Sequence, residues 1–428
     1  MNPIQEKIAL DDVRVLDLTG PSGVYCTKLL ADLGADVIRV EPPGGDPSRR
    51  VGPFVHDEPS PEKSLHFMHY NTNKRSVTLN IETVAGREIF KKLVKTADMM
   101  VETFQPGYLA SIGLEYPVLK EINPRLILVS ISWFGQDSPY KDFQASDLIV
   151  QAMTGLMYTI GFPEDPPAAI GAVQTYHMAA THAAMGALMA LYHQEATGSG
   201  QWVDVPVEGA CMRMADMVAL MYWIEGTVRK RSGFEYYRGL QDVWECKDGS
   251  IICSALGGAG ADGILEWMNG EGLAGDLLSE EYADVVAAIK GAAGGGRGGK
   301  KGAPAPKLRD LKEAQKHVEE IWQAFLLAHT REELFVGAQE RGVVLMPINT
   351  AKGIVEDVGL RERGYFVDVE HPELGSSIKY PGPPYRLDAT PWSIRKRAPL
   401  IGEHNIEVYE EIGFSREQLA EMVASEVI

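Results

Sequence analysis

Residues 13–18, VRVLDL, form a short unbroken apolar run, followed by the turn segment TGPSG (19–23) and then VYCTKLLADLG (24–34), whose apolar residues recur at helical spacing. A second apolar run, ADVIRVE (35–41), comes immediately after. Strands that read as continuous apolar runs are buried on both faces, the condition of a parallel sheet covered by helices. Strand, glycine turn, helix, strand is a βαβ unit with a right-handed crossover. The pattern recurs at SVTLNI (76–81), a helical stretch over 84–96, DMMVETF (98–104), helical spacing to about 122, and RLILVSISWFG (125–135). Residues 1–205 therefore predict a doubly wound α/β domain.

Beyond it, 145–195 reads as helical and QWVDVPVE (201–208) as a short strand; DVWECKDGSIICSAL predicts a hairpin turned at Lys247-Asp248-Gly249. GAAGGGRGGKKGAPAP (291–306) reads as a flexible linker, 381–399 as a proline-rich crossing, and 405–423 as a terminal helix. The expected organisation is a large α/β domain over 1–215, a smaller α+β domain over 216–340, and a return segment over 341–428 packing on the large domain.

Charge and cysteine usage narrow the function classes. A net charge of −18 lacks the basic surface that releases counterions from nucleic acid. Four scattered cysteines (Cys26, Cys211, Cys246, Cys253) show no zinc-ribbon spacing and fit a reducing cytosol. With no membrane-spanning apolar run and no signal-peptide pattern at MNPIQEKIALDD, the expectation is a soluble cytoplasmic protein.

Local motifs fail on inspection. Gly258–Gly263 has the spacing of a dinucleotide fingerprint, but no second strand ending in a ribose-binding acid follows. His177 and His182 lie five apart, where one helix face binding zinc needs four, so two packed or solvated histidines are expected and no metal. No nucleophile elbow is present.

Seven segments in order carry a resemblance: LADLGADVIRVEPPGGDPSR (30–49), NTNKRS (71–76), GREIF (86–90), VETFQPG (101–107), NPRLILVSISWFGQDSP (123–139), EATGSGQWVDV (195–205) and RAPLIGEHN (397–405). Together they resemble the class III CoA-transferases, the family of formyl-CoA transferase, carnitine CoA-transferase and α-methylacyl-CoA racemase. The resemblance implies a Rossmann-like large domain plus a small one, and two chains threaded as interlocked rings. It also implies covalent catalysis by an Asp, which alternately forms a mixed anhydride and an aspartyl-CoA thioester while a glycine-rich loop excludes water. CoA and acyl-CoA enter as substrates; no permanently bound cofactor is implied.

On this chain the family's Asp position, counted from Gly171 in PPAAIGA (166–172), falls on Tyr176, and no Asp or Glu occurs between Asp165 and Glu195. A phenol cannot form the anhydride. The racemase pattern fails too, with Ser146 where a His precedes Asp147. Where relatives carry cations for CoA, this chain has Pro42, Glu82 and Ser111; Arg39, Lys74, Arg75 and Phe104 remain as the expected CoA-binding set. Each lost charge-assisted bond removes about 1.5–3 kcal/mol. Gly257, Gly258 and Gly260 are the expected loop over the site.

Three readings stay open. The first is a non-catalytic subunit paired with a homologue that keeps the Asp, as in the two-subunit subgroup that moves CoA from succinyl-CoA to benzylsuccinate in anaerobic toluene degradation; YCTKLLADLG (25–34) has the look of that subgroup. The second is an active homodimeric transferase, racemase or lyase whose catalytic group lies elsewhere, with Asp147 and Asp165 as candidates. The third is a regulatory pseudoenzyme.

Overall fold

The structure, a computed structural model, describes residues 8–231, 240, 242–255, 259–283, 286 and 308–428. The linker 291–306 and the loop residues Gly257 and Gly258 lie outside them. The chain divides into two compact units, one of residues 1–159, 167–229 and 358–428, the other of 160–166 and 230–357.

The larger unit is built on six parallel strands: β1 (Arg14–Leu18), β2 (Asp36–Glu41), β3 (Arg75–Thr78), β4 (Met99–Glu102), β5 (Ile127–Ser132) and β6 (Trp202–Pro206), in the order β3-β2-β1-β4-β5-β6. The order reverses between β1 and β4, which pair from Val15↔Met99 to Leu18↔Glu102. Strands β3, β4 and β5 are buried at every position, as strands covered on both faces are.

Helices cover the sheet: α1 (Val24–Asp32), α2 (Leu65–Tyr70), α3 (Val84–Val94), α4 (Tyr108–Ser111), α5 (Tyr116–Ile122), α6 (Asp147–Met153), α7 (Leu156–Thr159), α8 (Gln174–Thr197), α9 (Val207–Met212) and α10 (Asp216–Glu225). Helix α3 begins at a Thr83 cap, whose hydroxyl accepts from the Gly86 amide at 2.9 Å. Gly86 is required there, since a Cβ would lie 1.9 Å from the Asn80 carbonyl oxygen. Helix α8 buries an alanine face (Ala179, Ala180, Ala183, Ala184, Ala187, Ala190) that permits close approach to α1 and β5, and ends at Gly198 with φ +76°.

The span read as one helical stretch, 145–195, is instead α6, α7, an irregular segment through Pro166 and Pro167, and α8. Proline after proline supplies neither the amide donors nor the preceding αR residues a helix needs. The terminal helix is likewise two, Asn405–Glu411 and Arg416–Ala424, broken at Gly413 (φ +89°) and restarted by a capping box at Ser415. Val408, Tyr409 and Leu419 from this end join Leu16, Ile38, Phe90 and Leu128 in one core.

The smaller unit carries β7 (Val243–Cys246), β8 (Gly249–Ala255) and β9 (Val344–Pro347) in an antiparallel sheet, with the turn where the sequence placed it. Because β9 pairs with β8, this unit runs to 357 rather than 340; α10, read with the small domain, groups with the larger unit. Trp322, Phe325 and Leu334 form its core. Gly260 lies in the first turn of α11 (Ala259–Gly270), not in a loop: a Cβ there would meet the Gly342 carbonyl oxygen at 3.0 Å. Among the described residues no helix is long and apolar enough to cross a membrane.

Candidate functional site

In an open α/β sheet a ligand crevice forms outside the carboxyl ends of the strands, where the strand order reverses. Two cavities occupy that place. The larger, about 460 Å³, is walled by the ends of β1, β2, β3 and β4, with Leu18, Val40, Leu79, Ile81, Phe104 and Tyr108 as its apolar lining. The smaller, about 240 Å³, lies beyond the ends of β1, β4 and β5 and is lined by Ser22, Gln105, Ser132, Trp133 and Tyr176. Gly20, Pro21, Thr103 and Phe104 line both, so Phe104 stands between them.

The wall common to both is fixed from below. Asp17, near the end of β1, is fully buried; its Oδ1 accepts from the Thr19 amide (2.9 Å) and hydroxyl (2.7 Å), which shapes the turn into Gly20. The Gly20 amide donates to Thr103 Oγ1 at 2.6 Å, tying the two loops together. Two cations hold Asp17: Arg39 Nη1 at 2.8 Å and Lys74 Nζ at 2.9 Å. Burial alone would raise the Asp17 pKa; Arg39 and Lys74 overcome it and hold the carboxyl well below the usual carboxylate range. Burial likewise brings the Lys74 ammonium down to about 8 against the pull of Asp17.

Arg39 and Lys74 are thus neither surface cations nor part of the walls of these two cavities, although Lys74 borders a third, of about 510 Å³, together with Arg395, Lys396 and Arg397. Arg39 and Lys74 are 1% exposed, and Arg39 spends its second nitrogen on Asp46 at 2.6 Å. Arg75 opens β3 and so lies at the amino end of the sheet, away from the cavities, paired with Asp36, Glu407 and Glu411. Of the expected CoA-binding set only Phe104 reaches the cleft. Among the described lining residues of the two cavities there is no lysine or arginine, while Glu82, hydrogen-bonded by the Tyr108 hydroxyl, is a carboxylate on the larger one. Arg87, on α3, donates to the Glu82 backbone carbonyl at 2.8 Å without joining the lining.

At the start of α8 the chain enters through two residues with positive φ, Ala172 (+64°) and Val173 (+46°), a strained conformation for a β-branched side chain. Asp147, on α6, holds this end. Its Oδ1 accepts from the Thr175 amide (3.0 Å) and hydroxyl (2.7 Å), and its Oδ2 accepts from Gln151 Nε2 (2.7 Å). Tyr176 follows, its ring 5.6 Å from Trp133 and its oxygen accepting from the Asp147 amide at 3.4 Å. Burial pushes the phenol pKa up, so it stays protonated. Asp165 belongs to a different part of the chain, in the irregular segment before α8.

The two histidines form no metal centre: His177 Nε2 bonds the Tyr70 hydroxyl (3.0 Å), and His182 Nδ1 bonds the Met178 carbonyl (2.9 Å). Among the described residues no cluster of three or more histidines, cysteines or carboxylates is placed to hold a metal ion. Asp17, Trp133 and Glu102, which shape the cleft, were not singled out from the sequence. The position of the first and last at strand ends before a turn was the available signal.

A doubly wound sheet with its cleft at the reversal point defines a class, and comparison gives the family. Residues 10–405 match the model of CoA-transferase family III, and the chain belongs to that family. It is 33% identical over 406 residues to the succinyl-CoA:(R)-benzylsuccinate CoA-transferase subunit BbsE of Thauera aromatica, covering 94% of this chain and 93% of that one. It is 34% identical over 424 residues to the succinyl-CoA–D-citramalate CoA-transferase of Chloroflexus aurantiacus, covering 98% of each. The crystal structure of a CAIB/BAIF family protein from Brucella suis superposes with a TM-score of 0.77 at 27% identity, covering 94% of this chain and 98% of that one.

Proposed function

We propose that this chain is the non-catalytic subunit of a heteromeric class III CoA-transferase, acting with a homologous chain that carries the carboxylate nucleophile. One observation carries the reading: where α8 opens onto the smaller cavity the side chain presented is the Tyr176 phenol. A nucleophile that must become first an anhydride and then a thioester has to be a carboxylate. The nearest candidate, Asp147, has its oxygens committed to Thr175 and Gln151, does not line the cavity, and so acts as the cap of α8.

The absence of lysine and arginine from the described lining of the two cavities at the strand ends supports the same assignment, because a CoA thioester buries phosphates only against cations. The partner's own site then holds the CoA thioester. Both relatives named above take their name from succinyl-CoA, which supports it as donor; an aromatic or branched dicarboxylic acid such as benzylsuccinate is the acceptor this reading favours.

The surface supports an obligate partner. Helix α10 buries none of its residues, and Met217, Tyr222, Trp223 and Ile224 are all more than half exposed. Met185, Met189 and Tyr192 extend an apolar stripe along α8. Such surface is covered in stable assemblies, here by the homologous chain in an interlocked pair.

Native mass spectrometry of the chain isolated from its source cells, with the co-purifying protein sequenced, tests the proposal. A homologous partner in equal ratio with Asp at the position of Tyr176 is the expected result. A homodimer that turns over by itself would overturn it.

A further inference from the structure

Glu102 is the last residue of β4 and is 3% exposed, yet the cleft chemistry described above gives it no part. Its Oε2 accepts from the Phe104 amide at 2.6 Å, reaching over Thr103 to hold the backbone of the residue that separates the two cavities. On the neighbouring strands it pairs in register with Leu18 of β1 and with Ser130 of β5, and Ser130 pairs in turn with Asp204 of β6. The Ser130 Oγ accepts from Trp202 Nε1 at 2.9 Å. Asp204 is tied to the Gln136 amide at 3.0 Å, in the turn that follows Trp133. The charged group bearing on Glu102 is thus a second carboxylate, with Leu18 and Ser130 its other neighbours across the sheet and no cation among them.

A buried carboxyl without a counter-charge keeps its proton unless its hydrogen bonds outweigh desolvation. We propose that Glu102 is the positioning residue of this cleft, a carboxyl whose proton sets how firmly the Phe104 wall between the two cavities is held. Ionised, it accepts the Phe104 amide through a charge-assisted bond of about twice the strength of a neutral one. Protonated, it keeps only the weaker neutral bond, and residues 103–105 loosen. Burial, helped by Asp204 and opposed by Ser130 and the Phe104 amide, lifts the Glu102 pKa to about 7, so the change falls within the physiological range. The inference concerns the walls of the cleft and stands whether the chemistry belongs to this chain or to a partner.

Hydrogen exchange read by mass spectrometry, on the full chain in the assembly in which it is isolated, tests it between pH 5.5 and 8.5. Protection of peptides covering Phe104, corrected for the intrinsic rate, should fall about tenfold on acidification, with a midpoint near neutrality. Peptides from α3 should show no such step. Glu102→Gln should give a flat profile. A flat wild-type profile, a midpoint near that of a free glutamate, or an unchanged profile in the variant would each overturn the proposal. The wild-type curve decides alone if the variant does not fold. Recovery of the chain without a homologous partner would count against the proposed function and leave this curve unaffected.

Discussion

The Asp147 amide donates to the Tyr176 oxygen at 3.4 Å while the Asp147 carboxylate holds the amide of the adjacent Thr175 at 3.0 Å. The start of α8 is therefore fixed through Thr175, and the long bond to the phenol contributes little. Tyr176→Phe should leave transfer by the assembled enzyme within about twofold and stability within about 0.5 kcal/mol of wild type. Steady-state transfer and thermal unfolding check this, and a large loss of rate would mean that the phenol takes part in chemistry. Asp147→Ala should cost about 1–3 kcal/mol, since it leaves the Thr175 amide and hydroxyl without their acceptor.

Asp17 supports the cleft from beneath. Removing one member of a buried ion network leaves the others charged and unpaired, which typically costs about 3–5 kcal/mol. Asp17→Ala strands both Lys74 and Arg39, although Arg39 retains Asp46. Urea unfolding should show a loss at the upper end of that range, whereas Arg75→Ala, whose carboxylate partners Asp36, Glu407 and Glu411 are closer to solvent, should cost less. If both variants unfold alike, the cluster beneath the cleft has no special weight.

The sheet was legible because most of its strands are short, continuous apolar runs, and glycine-containing turns follow β1, β2, β4 and β5. The side chains at the site were less so. Arg39 and Lys74 stand in the expected CoA-binding set because the family resemblance puts them there; sequence spacing does not show that Asp17, 22 residues before Arg39, is fully buried between them. Arg75 follows Lys74 directly, yet it opens a parallel strand and so faces the opposite end of the sheet. Gly260 read as loop because glycine-rich stretches usually are, but its missing Cβ serves packing against Gly342 and Val343. Tyr176 is the exception: its importance came from what it replaces, and the structure places it on a cavity wall.

Helix α10 gives a test of the partner. Trp223 and Ile224 are 78% and 73% exposed. A large aromatic enclosed by a partner is the usual energetic centre of an interface, and its loss costs about 2 kcal/mol or more, roughly thirtyfold in affinity. Trp223→Asp should give a chain with an unchanged circular dichroism spectrum that no longer assembles, as read by native mass spectrometry. Normal assembly would place the partner elsewhere.

Glu102 makes a prediction about stability that is separate from its hold on Phe104. Its pKa rises on folding from the ordinary 4.5 to about 7, so between those values the native state binds more protons than the unfolded chain. Stability contributed by this group is therefore present at acid pH and lost as pH rises through that window. A change of that size is worth about 3 kcal/mol at most, because the buried carboxylate pays for its desolvation only when ionised. Glu102→Gln removes the ionisation while keeping a polar partner for Ser130 and the Phe104 amide. It should raise the melting temperature relative to wild type at pH 8 and leave it little changed at pH 5. Equal shifts at both values would mean that Glu102 is not protonated in the folded chain near neutrality.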